Sequence, residues 1–203
     1  MLNWTVVTPS HRELLEQHLR PSSPFELRVV EAEQTGSGEF ESPGFGAVMQ
    51  AKYSMLYSAA RGTEVFAHSD ADVRFYGNED LSSLLGDRDI LFQCDLWQDS
   101  VVCDGLLVAR PCNAVARLFA DVAELGCGLP QLQGMLNAVV RGRALNWAFL
   151  PPRYWTAGAH RGELWKPGDP VYPPHDLAAH HANWTIGVEN KLKLLQAVQE
   201  IRK

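Results

Sequence analysis

The stretch EVFAHSDADV, residues 64–73, decides how the rest of this chain is read. Val65, Phe66 and Ala67 form a short apolar run of the kind that becomes a buried strand, and the run ends on two carboxylates, Asp70 and Asp72. Carboxylates at this spacing come close enough to serve one hard cation, directly or through water. In extended backbone their side chains also point the same way, because a strand repeats every two residues. An Asp-rich turn that binds nothing has the same composition, so the pair needs its surroundings to give it meaning.

Upstream, residues 4–7 predict a short strand. Ser10 with Glu13 predicts a capping box, opening a helix whose inward face is Leu14, Leu15 and Leu19 and which ends at Pro21 and Pro24. Phe25, Leu27 and Val29 alternate as a second strand. Residues 34–46 are rich in Gly, Ser and Glu and predict a mobile loop; a helix follows from about Phe45 to Ala60, closed by Gly62.

Downstream, the pattern predicts a short helix around Leu81 to Leu85, strands in DILFQCDL (89–96) and VVCDGLLVAR (101–110), helices near 113–125 and 130–142, and a short strand near Trp147. The proline-rich stretch 151–174 has little regular pattern. A last helix begins near Val188, and its basic end suits the helix dipole. Strands alternating with helices predict an α/β chain with a mostly parallel sheet flanked by helices. Ligands in such sheets sit beyond the carboxyl ends of the strands, where the acidic pair falls.

The chain has 203 residues, 46% hydrophobic and 21% charged, enough for one α/β domain with a real core. A formal net charge of −6 argues against a broad basic surface for nucleic acid. It leaves room for an anionic small substrate, provided that a metal ion or a few basic residues neutralise it locally. No run of eighteen apolar residues and no basic-then-apolar leader is visible, so neither a transmembrane segment nor a signal peptide is expected. Cys94, Cys103, Cys112 and Cys127 show no metal-finger spacing and lie in or beside apolar runs; they read as small buried hydrophobes in a reducing, cytoplasmic compartment.

The segment VFAHSDADVRFYG (65–77) resembles the signature of sugar-nucleotide transferases of the GT-A fold: an apolar strand, Asp-x-Asp, an aliphatic residue, then an aromatic. Further matches follow in order. LLVARPCNAVARLFADV (106–122) looks like the family's passage from a Gly-bearing strand through Arg-Pro into a helix. LQGMLN (132–137) resembles its Asp-Gln-x-x-Leu-Asn, and HANWTIGVENK (181–191) its closing His-to-Lys segment. The nearest groups are nucleotide-diphospho-sugar transferases that include plant cell-wall xylosyltransferases, their small viral and bacterial relatives, and the glycogenin-like family. The resemblance spans roughly residues 44–195. It implies a single Rossmann-like GT-A domain, with residues 1 to about 75 on the nucleotide side and about 76–203 on the acceptor side.

The resemblance also implies a site. Asp70, Asp72 and His181 would hold Mn²⁺ or Mg²⁺, and Thr8, Lys52, Asp70, Ala71, Gly187 and Lys191 would contact the donor, a UDP-sugar by likeness. The chemistry of these residue types agrees. Imidazole suits Mn²⁺ beside carboxylates, a helix start with a nearby ammonium suits a diphosphate, and a lysine on the inward stripe of a helix calls for an anionic partner. His180 reads as surface or outer shell, and Gln133 and Asn137 as a polar pair that equally well decorates a surface. Asp104 is the candidate acceptor-side base, with Asp99 and Asp95 as alternatives; under retention of configuration Asp104 would bind acceptor hydroxyls instead. The acceptor is a glycan or another hydroxyl compound.

Two departures fall on the acceptor side: Leu132 stands where relatives carry Asp, and Cys103-Asp104-Gly105 replaces Asn-x-Gly. They keep open a degenerate domain that binds a glycan or nucleotide without turnover. A phosphohydrolase of the haloacid-dehalogenase type is the other alternative, because DADV fits its nucleophile motif. That motif belongs after a first strand, however, and here GDRD (86–89) follows too closely.

Overall fold

The computed structural model describes residues 1–37, 42–95, 101–126, 132–156 and 163–202. Cys127 and Asp99 lie outside the described residues. The first strand, β1 (Leu2–Val7), leads into a helical run made of a 3-10 turn (Pro9–His11), α1 (Arg12–Leu14), a π stretch (Leu15–Leu19) and α2 (Arg20–Ser22). Leu14, Leu15 and Leu19 are fully buried, as their spacing predicts. The capping box does not form. Thr8 is the residue that precedes the first turn, and its hydroxyl bonds the His11 ring rather than a backbone amide. Ser10 lies inside the turn, where its own amide donates to the Gln34 side chain at 2.8 Å. Pro21 does not end the run either: it sits in the last turn, just after the π stretch, and the Ser22 hydroxyl takes up the His18 carbonyl at 2.6 Å.

Next come β2 (Glu26–Glu31), α3 (Phe45–Ala60), β3 (Phe66–Ser69), β4 (Val73–Phe75), α4 (Leu81–Leu85), β5 (Ile90–Asp95) and β6 (Val101–Ala109). The chain finishes with α5 (Asn113–Leu125), α6 (Leu132–Arg141), β7 (Trp147–Phe149), β8 (Tyr154–Thr156), β9 (Ala179–His181) and α7 (Val188–Ile201). Six strands form the main sheet in the order β2-β1-β3-β6-β5-β7. β1 runs parallel to β2 and β3, and β7 parallel to β5, while β6 opposes both of its neighbours. This is the mixed, mostly parallel α/β sheet flanked by helices that the sequence predicts.

The sheet is buried on both faces, so β6 reads as an almost continuous apolar run. Phe66, Leu107 and Ala109 face the helices α3, α5 and α6, with Tyr53, Phe119 and Leu136 among the residues filling that side. Ala67, Leu106 and Val108 face the opposite layer, where α1, α4, α7 and a second, smaller sheet pack.

That second sheet, in the order β4-β9-β8, is a departure from the expected architecture. Its strands are three residues each, and two come from the stretch read as irregular or from just beyond it. It sets the position of the acidic pair. Asp70-Ala71-Asp72 is not extended strand: it is the turn by which the chain leaves the main sheet at β3 and enters the small sheet at β4. The Asp70 amide still bonds Gly105 of β6 at 2.8 Å, and the Val73 amide closes the turn onto the Asp70 carbonyl at 3.1 Å. The carboxylates converge because the backbone turns, not because of a period of two.

Candidate metal and diphosphate site

The turn places Asp70 and Asp72 beside β9, whose His181 sits directly across from Val73. His181 Nε2 lies 3.3 Å from Asp72 Oδ1 and 3.8 Å from Asp70 Oδ2. One ligand atom from each of Asp70, Asp72 and His181 lies within 4.8 Å of the other two, and the O, O, N set suits Mg²⁺ or Mn²⁺. The residues present therefore fit a divalent ion.

Each acid is also met by a lysine. Lys52, buried on the inner face of α3, reaches Asp70 at 2.9 Å and Asp104 at 3.2 Å. Burial alone would depress its pKa, but the Asp104 and Asp70 carboxylates outweigh that and hold the ammonium charged. Asp104 is fixed from its other oxygen by the Tyr53 hydroxyl at 2.5 Å, and burial with that carboxylate drives the phenol well above its ordinary range. Asp70 is partly exposed to the cavity; desolvation opposes its charge, but Lys52 and the His68 and His181 imidazoles pull it below the usual carboxylate range. Asp72 behaves alike under Lys191 and His181. Lys191, in the first turn of α7, donates to Asp72 and, at 3.3 Å, to the Ala182 carbonyl. Burial opposes a charge on His181, but Asp72 raises its pKa well above the ordinary imidazole value.

His181 needs room. A Cβ on Gly105 would stand 2.0 Å from His181 Cε1, so only glycine fits below the ring. Gly105 and Asp104 lie where β6 loses register with β5: Phe92 pairs with Leu107, but Gln93 pairs with Cys103. Such irregularities re-aim side chains, and here one turns Asp104 toward Lys52 while the glycine admits the histidine.

All of this opens onto a cavity of about 540 Å³, a size suited to a small-molecule ligand. Thr8, Lys52, Asp70, Ala71, Asp72, Asp104, His181 and Lys191 line it together. Gly187 does not; it precedes α7 with a φ of 95°, a conformation that favours glycine, next to Ile186, which does line the cavity. Asp95 also lines it and accepts from the Trp184 indole at 2.6 Å. Trp184 has a φ of 56°, and among the described residues it alone is a non-glycine in that region, held there while its carbonyl accepts from the Trp165 amide at 2.7 Å. The other wall is apolar, formed by Phe45, Val48, Met49, Val101 and Leu132.

Two readings need correction. His180 is not a surface residue: it is fully buried on the far side of β9, its ring 4.9 Å from that of Trp155, and burial lowers its pKa to about 3. Gln133 and Asn137 are not a matched pair. Gln133 lines the cavity, while Asn137 clamps α6 to β6 by accepting from the Val102 amide and donating to the Val102 carbonyl, both at 2.8 Å. Sequence reasoning missed Tyr53, Gln93 and His68. A polar Gln in the apolar run ILFQC was the one available signal, because such a residue buried in a strand must find partners.

No family model matches the chain, and no curated protein matches it in sequence. Its fold is that of known glycosyltransferases. A glycosyltransferase involved in the glycosylation of the major capsid of PBCV-1 aligns with a TM-score of 0.63 at 15% identity, covering 96% of this chain and 98% of that one. The apo-form glycosyltransferase GlyE of Streptococcus pneumoniae TIGR4 aligns at 0.50 and 12% identity, over 75% of this chain but only 45% of its own length.

Proposed function

We propose that the chain is a metal-dependent glycosyltransferase that moves a hexose or pentose from a nucleotide-diphosphate sugar, with UDP as the nucleotide, to a hydroxyl of a glycan or similar acceptor in the cytoplasm. The observation that carries this reading is the convergence of Asp70, Asp72, His181 and Lys191 on one cavity, in a fold shared with glycosyltransferases. Asp70, Asp72 and His181 would hold Mn²⁺ or Mg²⁺, which when bound supplies positive charge to the departing diphosphate. Among the described residues no helix is long and apolar enough to cross a membrane.

The chain's own residues supply the rest. Lys191 and the start of α7, beside Gly187, would turn an ammonium and the positive end of a helix dipole toward phosphate oxygens. Thr8 and Ala71 border the same cavity on the nucleotide side, formed by residues up to about 75. Lys52 holds Asp70 in place and adds charge near the donor. Asp104, with Asp95 and Asp99 as the alternatives that the sequence offers, would take the acceptor's proton or bind its hydroxyls. Both oxygens of Asp104 are already engaged, by Lys52 and Tyr53. That geometry favours a role in orienting donor and acceptor over proton abstraction.

A thermal-shift series with Mn²⁺ and UDP-, GDP- and dTDP-sugars tests the proposal. Stabilisation requiring metal and one sugar nucleotide together supports it; indifference to every sugar nucleotide overturns it. Asp72→Asn is expected to abolish the metal-dependent part of that shift. Binding that survives in Asp72→Asn would move the site elsewhere.

A further inference from the structure

We infer that Gln93 is a positioning residue for this metal site: it selects which nitrogen of His181 faces Asp70 and Asp72. The inference rests on the metal reading of the preceding paragraphs.

The nitrogen of the Gln93 amide lies 3.1 Å from the carbonyl of Tyr154 and 3.1 Å from that of Trp155, both on β8. Carbonyl oxygens only accept, so the NH₂ end of the amide must face them, and Oε1 must face the other way. In that direction Oε1 meets His181 Nδ1 at 3.1 Å. Since Oε1 only accepts, Nδ1 carries the hydrogen. The remaining nitrogen, Nε2, is the one turned toward Asp70 and Asp72.

Gln93 is fully buried, and the whole chain of contacts is anchored on backbone. Cys103, paired with Gln93 across the irregular register of β5 and β6, places its sulfur 3.5 Å from the same Nδ1, and Gly105 opens the space for the ring. A thiol is a weak partner beside an amide oxygen, so Gln93 is the group that sets the tautomer. Histidines that ligate metals have their second nitrogen engaged in this manner, and losing the partner typically costs 10–100-fold in metal affinity.

Mn²⁺ binding measured by electron paramagnetic resonance, without sugar nucleotide, reads the site directly. Gln93→Leu removes the acceptor at similar volume and is expected to weaken Mn²⁺ binding about 10–100-fold. Gln93→Glu keeps an oxygen toward Nδ1 and is expected to bind Mn²⁺ more tightly than Gln93→Leu. In the Mg²⁺-loaded wild type, ¹⁵N spectra of His181 are expected to show the proton on Nδ1. This measurement needs no variant and so stands even where Gln93→Leu fails to fold. A proton found on Nε2, or a folded Gln93→Leu that binds Mn²⁺ as wild type does, overturns the assignment of Gln93 while leaving the metal site intact. A wild-type protein that binds no Mn²⁺, with or without UDP, overturns the metal reading and this assignment with it.

Discussion

The two sides of β9 make the same side chain into opposite objects. His180 and His181 are consecutive, both buried, and project to opposite faces because strand side chains alternate. His181 meets Asp72, Gln93 and the space above Gly105, and its pKa is raised well above the ordinary value. His180 lies against Trp155 with neither ring nitrogen hydrogen-bonded, and burial pushes its pKa down to about 3. The lesson is that burial sets no charge state by itself. A buried imidazole is neutral unless a carboxylate repays its desolvation, and at β9 that partner exists on one face alone.

The largest effect that would break this contrast comes from removing a charge partner on the His181 face. Lys52→Met leaves Asp70 and Asp104 without their shared ammonium, in a site where the lysine is almost fully buried. Loss of one partner of a buried ion pair costs about 3–5 kcal/mol. Urea unfolding is expected to report a loss in that range; a loss below about 1 kcal/mol would mean that water, not Lys52, balances the two acids.

Gly105→Ala acts on geometry alone. The new Cβ must displace the His181 ring, so Mn²⁺ affinity is expected to drop roughly 10–100-fold, with a stability cost of about 1–3 kcal/mol for the overpacked strand. Unchanged Mn²⁺ affinity, measured by calorimetry, would show that the ring has another place to go.

The far face is tested by pH. His180, at about 3, and His18, lowered by burial and Arg74 to about 4, are neutral in the fold and ordinary imidazoles, near 6.5, when unfolded. Their neutral burial is compatible with full stability above about 6.5; below it the unfolded chain gains protons that the fold refuses. Stability is therefore expected to fall as pH drops from about 6.5 toward 4, by up to about 1.4 kcal/mol per pH unit for each group. His180→Leu should flatten that limb by about one proton and keep neutral-pH stability close to wild type. An acid limb of unchanged slope in His180→Leu would mean that His180 is protonated in the fold. His181 acts with the opposite sign: its contribution is full below about 6.5 and is lost as pH rises through its elevated folded pKa.

The smallest effect separates two lysines of α7. Lys193 pairs with Glu189 at 2.6 Å, but both are exposed and four residues apart. Lys193→Ala is expected to change stability by no more than about 0.5 kcal/mol and to leave sugar-nucleotide binding untouched, whereas Lys191→Ala should weaken that binding. Equal effects of the two substitutions on binding would remove Lys191 from the site.

Elements with strong local signals were legible. The helix from Phe45 to Ala60 and the strand that leads into the acidic pair follow from apolar spacing, and Lys52 on the inward stripe calls for the anionic partner that the fold supplies. Ser10 and Pro21 misled, because a capping pattern and a proline each fit more than one place in a helical turn. The strands β8 and β9 left almost no trace: three residues are too few to show a period, and β9 is held by pairing with both β4 and β8, with His180 against Trp155 of β8.

By itself the sequence determined the longer helices, the strands of the main sheet and a pair of aspartates at the end of a buried strand, since these depend on neighbours a few residues apart. Tertiary structure decided that Asp72 meets Lys191, 119 residues later, and that Gln93 meets His181, 88 residues later. Closing loops of that length costs entropy that no local pattern encodes. Only the joined sheets, with the turn at Asp70 between them, offset that cost and bring the acids, the histidine and the lysines to one point.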